Sequence, residues 1–559
     1  MRPRHWLTAL VAVTGVLGAV LGGVPAGVAP VRAAGYRLST EATYVVHPAR
    51  REVAVKVQVD FRNTTPNPSG RFSVFDVIDL AIHSGAREVR ASDRRGRLKV
   101  KVDRRQGLTV ASVSPRRGVR FGDEAHFTLR YTLPDGASHD VRIRESVITF
   151  PVWSFGTQGR ASVTLPVDYK VLVDGDSLNA VRAGESWRLT SGLITDPAHW
   201  LALLTASLPS TFVSLPGSVA LANGPLELEV RSWSDDRRWA RQTRDLAVKA
   251  LPRLEKAAGV ELPVSGPLVI VESLPAAGGE LSEPVPSGAD MAIGFDDPPF
   301  TILHQLAHTW FTPQLASERW IREGLASSAA ARVARQLKVP APFDPIREAA
   351  KLNDDAFPLV SWGVGEASAR QDRYAYAASW AAIEEIRSAV GDDVLRTALR
   401  RFAAGLDGYQ PLNVEPVPGQ RLSAPFDSRH LYDQLDALSD VPLRRLFERW
   451  VFDDRTSALL PARAAARADA EALARSAGGW GLPDAVRLAL AGWRFDDARS
   501  AIGEARAWLA DRDSLIADAR AAGLTVPQRL EDEYRTGGGS SAARAELDLE
   551  RSVVTAYVA

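Results

Sequence analysis

His304 and His308 stand four residues apart, and Glu323 lies in a run, Trp320-Ile321-Arg322-Glu323-Gly324-Leu325-Ala326, that begins twelve residues after the second histidine. On a helix, two side chains four apart share one face about one turn apart. Two imidazoles so placed can grip one zinc ion, and a glutamate from a following helix would supply a third ligand, leaving the fourth position open to water. No other feature constrains the fold as tightly, because two helices must bring three side chains to one point. The chain has no cysteine, so any metal site must use His, Asp or Glu.

In zinc-dependent hydrolases with the pattern H-E-x-x-H, the residue after the first histidine is the general base that takes a proton from the metal-bound water. Here the run reads His304-Gln305-Leu306-Ala307-His308, so an amide holds that position. Gln305 can hydrogen-bond a water but cannot accept its proton near neutral pH. Losing a positioned base costs about 10²–10⁴ in rate. The metal grip is kept and the base is not. Zinc alone would still acidify its water, which is compatible with trace hydrolysis.

With 559 residues the chain exceeds what one core supports, and several domains are expected. A formal charge of +1 argues against nucleic acid as a partner, and no phosphate-binding loop or nucleophile elbow occurs. Met1-Arg2-Pro3-Arg4, an apolar run from Trp6 to Val24 and small residues to Ala34 read as a secretory signal. A retained N-terminal anchor is the alternative reading of that run. The chain is therefore expected outside the cell or in its envelope, with no membrane span once residues 1–34 are removed.

Residues 35–215 read as an antiparallel β domain. Val53, Val55, Val57, Val59 and Phe61 alternate with polar residues up to the turn Asn63-Thr64-Thr65-Pro66, and Phe127, Leu129 and Tyr131 alternate before Pro134-Asp135-Gly136. Residues 216–456 mix strands (226–230, 268–271, 291–295) with helices, one near Asp235 to Lys256 and one carrying His304. Residues 272–288 read as a surface loop and 405–428 as an insertion-like loop. Residues 457–559 read as helical, with Ala498, Ile502, Ala505, Trp508 and Leu509 on one apolar face. Paired arginines at 94–95, 104–105 and 116–117 sit beside turn signals and are read as solvated hairpin ends rather than as a site for anionic polymer.

Around the histidines the chain resembles the gluzincin metallopeptidases of the aminopeptidase N-like M1 family, over residues of about 40 to 455. His304-Gln305-Leu306-Ala307-His308, Trp310 and Phe311 match the family's H-E-L-A-H-x-W-F, and Trp320, Glu323, Gly324 and Ala326 its W-L-x-E-G-x-A. Tyr376-Ala377-Ala378-Ser379, Gly391-Asp392-Asp393 and Arg449-Trp450-Val451 match later segments. The resemblance implies a multidomain α+β fold: an N-terminal antiparallel β domain, a thermolysin-like zinc-peptidase domain and a helical C-terminal region. It also implies Zn2+ on His304, His308 and Glu323, with Gln305 at the position of the base and Tyr376 at that of a tyrosine that stabilises the oxyanion.

Three departures stand out. Gln305 replaces the catalytic glutamate. The interval from His308 to Glu323 is four residues shorter than in the main family. Gly288-Ala289-Asp290-Met291-Ala292 occupies the place of G-x-M-E-N, without the glutamate that holds a substrate's free ammonium. The expected function is that of an exported, zinc-binding pseudopeptidase that holds an extracellular peptide or protein in its cleft, extended along the strand from Met291 to Phe295. Two rivals remain from the sequence. One is an active metallopeptidase with a substitute base, for which Glu318 in the trimmed loop is the candidate. The other is a metal-free envelope scaffold acting through its helical region.

Overall fold

The structure is a computed structural model that describes residues 35–559 except 68–72, 106, 139, 209–210, 263–265, 275–289, 366, 412–420 and 423–424. The secretory segment at 1–34, most of the 272–288 loop, Gly288 and Ala289, and part of the 405–428 loop lie outside the described residues. By backbone packing the chain divides into two units. One comprises residues up to 218 with 227–245 and 267–297; the other comprises 219–226, 246–266 and 298–559.

In the first unit the alternating valines form the strand Glu52–Asn63, where Val53, Val55, Val59 and Phe61 are buried while Gln58 and Asp60 face water. It pairs along its whole length with Tyr36–His47 and, on its other side, with Glu124–Pro134, both antiparallel. These strands form the centre of a ten-stranded sheet. One pairing departs from the expected antiparallel pattern: Tyr36–His47 runs parallel to Gln158–Pro166. Alternation reports which face is buried and is blind to strand direction. A parallel neighbour requires a long crossover, and the intervening chain supplies one. A four-stranded sheet, with Val147–Val152 and Ala202–Ser207 at its centre, adds Phe150, Val152 and Leu204 to the same core as Tyr44, Leu129 and Leu133. Of the paired arginines, Arg116 bonds Asp93 at 2.8 Å and Arg105 bonds Asp79 at 2.9 Å.

His83 is sealed in this core, 1% exposed. Its Nε2 lies 2.8 Å from the Pro151 carbonyl and its Nδ1 2.8 Å from the Tyr131 hydroxyl. A carbonyl only accepts, so Nε2 carries the proton and Tyr131 donates to Nδ1. Burial pulls the pKa down to about 4, against the opposing pull of the Pro151 carbonyl. The folded-state value is thus depressed below the ordinary 6.5. The associated stability is complete above pH 6.5 and drains away as pH falls toward 4, amounting to about 3 kcal/mol. Urea unfolding of this β unit should weaken across that window in the wild type, and His83→Gln should flatten the dependence. An equal slope in both proteins would show that His83 does not govern it.

A second four-stranded sheet contains Gly224–Trp233, Leu268–Ser273 and Met291–Gly294, paired parallel in that order. Leu268–Ser273 is buried along nearly its whole length, as a strand covered on both faces must be. Met291–Gly294 is the edge strand. It stops one residue short of Phe295, where the Gly294 amide donates to Asp297.

Fourteen described helices follow chain order: α1 (Arg237–Ala258), α2 (Pro299–Ala307), α3 (Arg319–Leu337), α4 (Pro345–Lys351), α5 (Ala369–Val390), α6 (Asp392–Ala403) and α7 (Ser428–Leu438). Then come α8 (Arg444–Trp450), α9 (Asp454–Ser457), α10 (Leu460–Ala477), α11 (Asp484–Ala491), α12 (Phe495–Ala521), α13 (Gln528–Gly537) and α14 (Ser541–Val558). The C-terminal region is helical, and Ala498, Ile502, Ala505, Trp508 and Leu509 of α12 are all buried. Trp508 stacks on Tyr534 at 5.1 Å and donates to the Ala543 carbonyl at 3.0 Å, so that apolar face gathers α13 and α14. No described helix is long and apolar enough to cross a membrane.

Candidate metal centre

Pro299 opens α2 at a position where its missing N–H is not needed. Phe300, Ile302, Leu303, Leu306 and Ala307 bury one side of this short helix, and Phe300 stacks on Trp380 of α5 at 5.4 Å. That packing leaves His304, Gln305 and His308 half-buried on the other side. The last turn tightens into i→i+3 bonds, with the His308 amide donating to Gln305 and that of Trp310 to Ala307. Trp310 and Phe311, both buried, anchor the exit.

Helix α3 presents Glu323 from the opposite wall. Its alanines 326, 329, 330, 331 and 334 are buried, as are Ala375, Ala377, Ala378, Ala381 and Ala382 of α5, and small side chains let the two helices approach closely. Gly324 sits at the tightest point. A Cβ there would lie 2.5 Å from the Ser379 carbonyl oxygen and 2.8 Å from Ile383. The glycine after the glutamate is thus a packing requirement that seats Glu323.

The three side chains do meet. His304 Nε2 is 3.1 Å from Glu323 Oε2 and 3.1 Å from His308 Nε2, and His308 Nε2 is 3.3 Å from the same carboxylate oxygen. Ligand bonds of about 2.0–2.1 Å at tetrahedral angles separate neighbouring donors by about 3.3–3.4 Å, so the triangle has nearly the right size for one zinc ion. The chemistry of the donors agrees. His308 Nδ1 faces the Phe311 carbonyl at 3.2 Å, which fixes its proton there and leaves Nε2 with a lone pair. His304 Nδ1 lies 3.1 Å from the Ser327 hydroxyl, so the same tautomer is available to it, and the supporting bond orients the ring as metal-bound histidines require. Two lone pairs and a carboxylate aimed at one point could hold a cation; among the described residues no other group of three such side chains converges. Burial lowers the pKa of His304 and favours its neutral, ligating form. Burial alone would raise that of Glu323, but the two imidazoles beside it hold it well below the usual carboxylate range.

Gln305 lies about 100° around the helix from His304 and about 60° from His308, on the flank of the metal-facing side. Its side-chain amide makes no hydrogen bond among the described residues. Tyr376 projects from α5 and its hydroxyl accepts from Arg319 Nη2 at 2.9 Å. Burial and the nearby Glu323 charge raise its pKa, so it stays protonated. Tyr374, by contrast, is core, packed on Phe357 at 5.8 Å.

Glu318 is engaged elsewhere. Its Oε2 accepts from Trp320 Nε1 at 2.9 Å, from the Ser428 amide at 3.1 Å and from the Ser428 hydroxyl. Burial raises its pKa. It ties the start of α3 to the start of α7, while Ser317 bonds the Phe426 carbonyl and Arg322 ties back to the Ala316 and Ser317 carbonyls. The end of the segment read as an insertion-like loop is therefore the partner that braces the shortened connection.

Sequence reasoning missed Ser327, the Phe311 carbonyl and Arg319. Ser327 lies four residues after Glu323 on the same helical face, a spacing that could have exposed it.

No family model matches the chain, and no curated protein matches it. Among solved structures, it is similar to an M1 zinc metallopeptidase from Deinococcus radiodurans at 14% identity and a TM-score of 0.30, covering 75% of this chain and 94% of the other. A mutant two-domain M1 zinc metallopeptidase bound to L-arginine gives 15% identity, a TM-score of 0.31, and 75% and 95% coverage. A mutant of the Deinococcus radiodurans enzyme bound to a Tyr-Ser-Ala substrate gives 15%, 0.30, 75% and 94%. Likeness at this level carries no weight for the site, whose reading rests on its residues and their geometry.

Proposed function

We propose that the protein is an exported, zinc-binding relative of the M1 metallopeptidases, with a thermolysin-like peptidase domain whose catalysis is impaired, and that it binds an extracellular peptide or protein. One observation carries this reading: His304, His308 and Glu323 converge as a group that could hold a metal ion, while Gln305 occupies the place of the proton acceptor. Bound zinc would polarise a carbonyl and acidify a water. The chain's own residues then hold and orient. The Ser327 hydroxyl and Phe311 carbonyl set the imidazoles, Tyr376 offers a hydroxyl proton, and Gln305 offers an amide that hydrogen-bonds without taking a proton. Glu318, held by three donors, is not free to act as the base.

Elemental analysis after incubation with zinc and desalting tests the metal half. About one zinc per chain is expected, falling to near zero in His308→Ala. Hydrolysis of peptide libraries tests the other half: the wild type should show at most trace, chelator-sensitive turnover. Ordinary protease rates that vanish with a chelator would instead identify an active enzyme. Zinc absent from both proteins would favour a metal-free scaffold.

A further inference from the structure

Arg319 stands one helical turn before Glu323 on α3, so the two share a face. Its guanidinium is fixed without being consumed. It lies 4.4 Å over the Trp362 ring and, among the described residues, donates one hydrogen bond, to the Tyr376 hydroxyl at 2.9 Å. Its ion pair with Asp372 is 3.8 Å long, outside hydrogen-bond range, and the same Asp372 oxygen accepts from Trp362 Nε1 at 2.9 Å. The side chain keeps 34% of its exposure, and most of its five N–H groups remain available. Tyr376 uses its oxygen to accept from Arg319, and no acceptor among the described residues takes its proton.

A planar guanidinium held by stacking suits two-pronged capture of a carboxylate. Charge points the same way: Gln305 removes a negative charge that an active site of this pattern would hold. We infer that the ligand of this site bears a carboxylate, bound by Arg319 and the Tyr376 hydroxyl beside the proposed metal ligand Glu323. It is a peptide presenting either a free C-terminus or an acidic side chain. The inference rests on the proposed peptide-binding role and adds which chemical group is recognised.

Fluorescence anisotropy on the zinc-loaded full chain tests it, with three labelled hexapeptides: one with a free C-terminal carboxylate, the same sequence amidated, and an amidated version ending in Asp. The free acid should bind about tenfold more tightly than the amide, as expected for hydrogen bonds to a charged group. Arg319→Gln should abolish that ratio at unchanged zinc content, and Arg319→Lys should retain part of it. If the Asp peptide matches the free acid, an acidic side chain is an accepted source; if it matches the amide, the free C-terminus is required. Equal binding of acid and amide overturns the inference but leaves peptide binding standing, as does a preference that survives in folded Arg319→Gln. No binding of any peptide overturns both.

Discussion

Gln305→Glu is expected to raise zinc-dependent peptide hydrolysis by about 10²–10⁴ over the wild type, the usual worth of a positioned general base. Amide and carboxylate are nearly the same size. Gln305 is half-buried on the flank of the metal-facing side, with no hydrogen bond among the described residues that the change would break. The ligands and their supports, Ser327 and the Phe311 carbonyl, are untouched, so zinc content should stay the same. The Tyr376 hydroxyl remains available to stabilise developing negative charge. The assay should use internal peptide bonds as well as free-amine substrates, since residues 288–292 lack the glutamate that would hold an ammonium group. Activity gained in Gln305→Glu should disappear with a chelator and in the Gln305→Glu, Glu323→Ala double variant. A zinc-loaded Gln305→Glu protein that stays inert would show that more than the base has been lost.

What could be read in the chain follows from what leaves a periodic or closely spaced trace. The donor triad was legible because helical spacing fixes His304 to His308 and because Glu323 is followed by a glycine with a packing reason. The Glu52–Asn63 strand was legible because a half-buried strand alternates. The parallel neighbour Gln158–Pro166 was not, since alternation carries no direction. The clamp between Glu318 and Ser428 joins residues 110 positions apart and leaves no local signature. Arg319 was hidden for another reason: it lies one residue ahead of the Trp320–Ala326 motif, and only the placement of Trp362 and Tyr376 shows that it is held. Buried ion pairs share that difficulty, because a string of Asp and Arg reads as a solvated helix until its partners are known.

One such pair supports the second major expectation, that Asp433→Ala destabilises the helical unit by about 3–5 kcal/mol. Asp433 of α7 and Arg463 of α10 have side chains only 2% and 5% exposed. Asp433 Oδ1 accepts from Arg463 Nε at 2.5 Å, and its other oxygen accepts from Trp493 Nε1 at 2.9 Å. The guanidinium also bonds Asp436 at 2.8 Å and lies 4.6 Å over the Tyr432 ring. Removing the carboxylate leaves a buried cation short of its main partner and orphans the indole N–H, and both costs fall on the folded state. Urea unfolding followed by far-UV circular dichroism should show the loss. The double variant Asp433→Leu, Arg463→Met removes both charges and should recover most of it, because a well-packed apolar pair avoids the desolvation of two ions. A loss below about 1 kcal/mol in Asp433→Ala would mean the pair is solvated. The consequence reaches the metal centre through contiguous structure: Asp433 lies on the helix whose first residue, Ser428, holds Glu318 at the start of α3, the helix that presents Glu323. A destabilised α7 should therefore lower the zinc retained under mild urea before the unit unfolds, whereas zinc loss coinciding with global unfolding would show that the brace is independent of the pair.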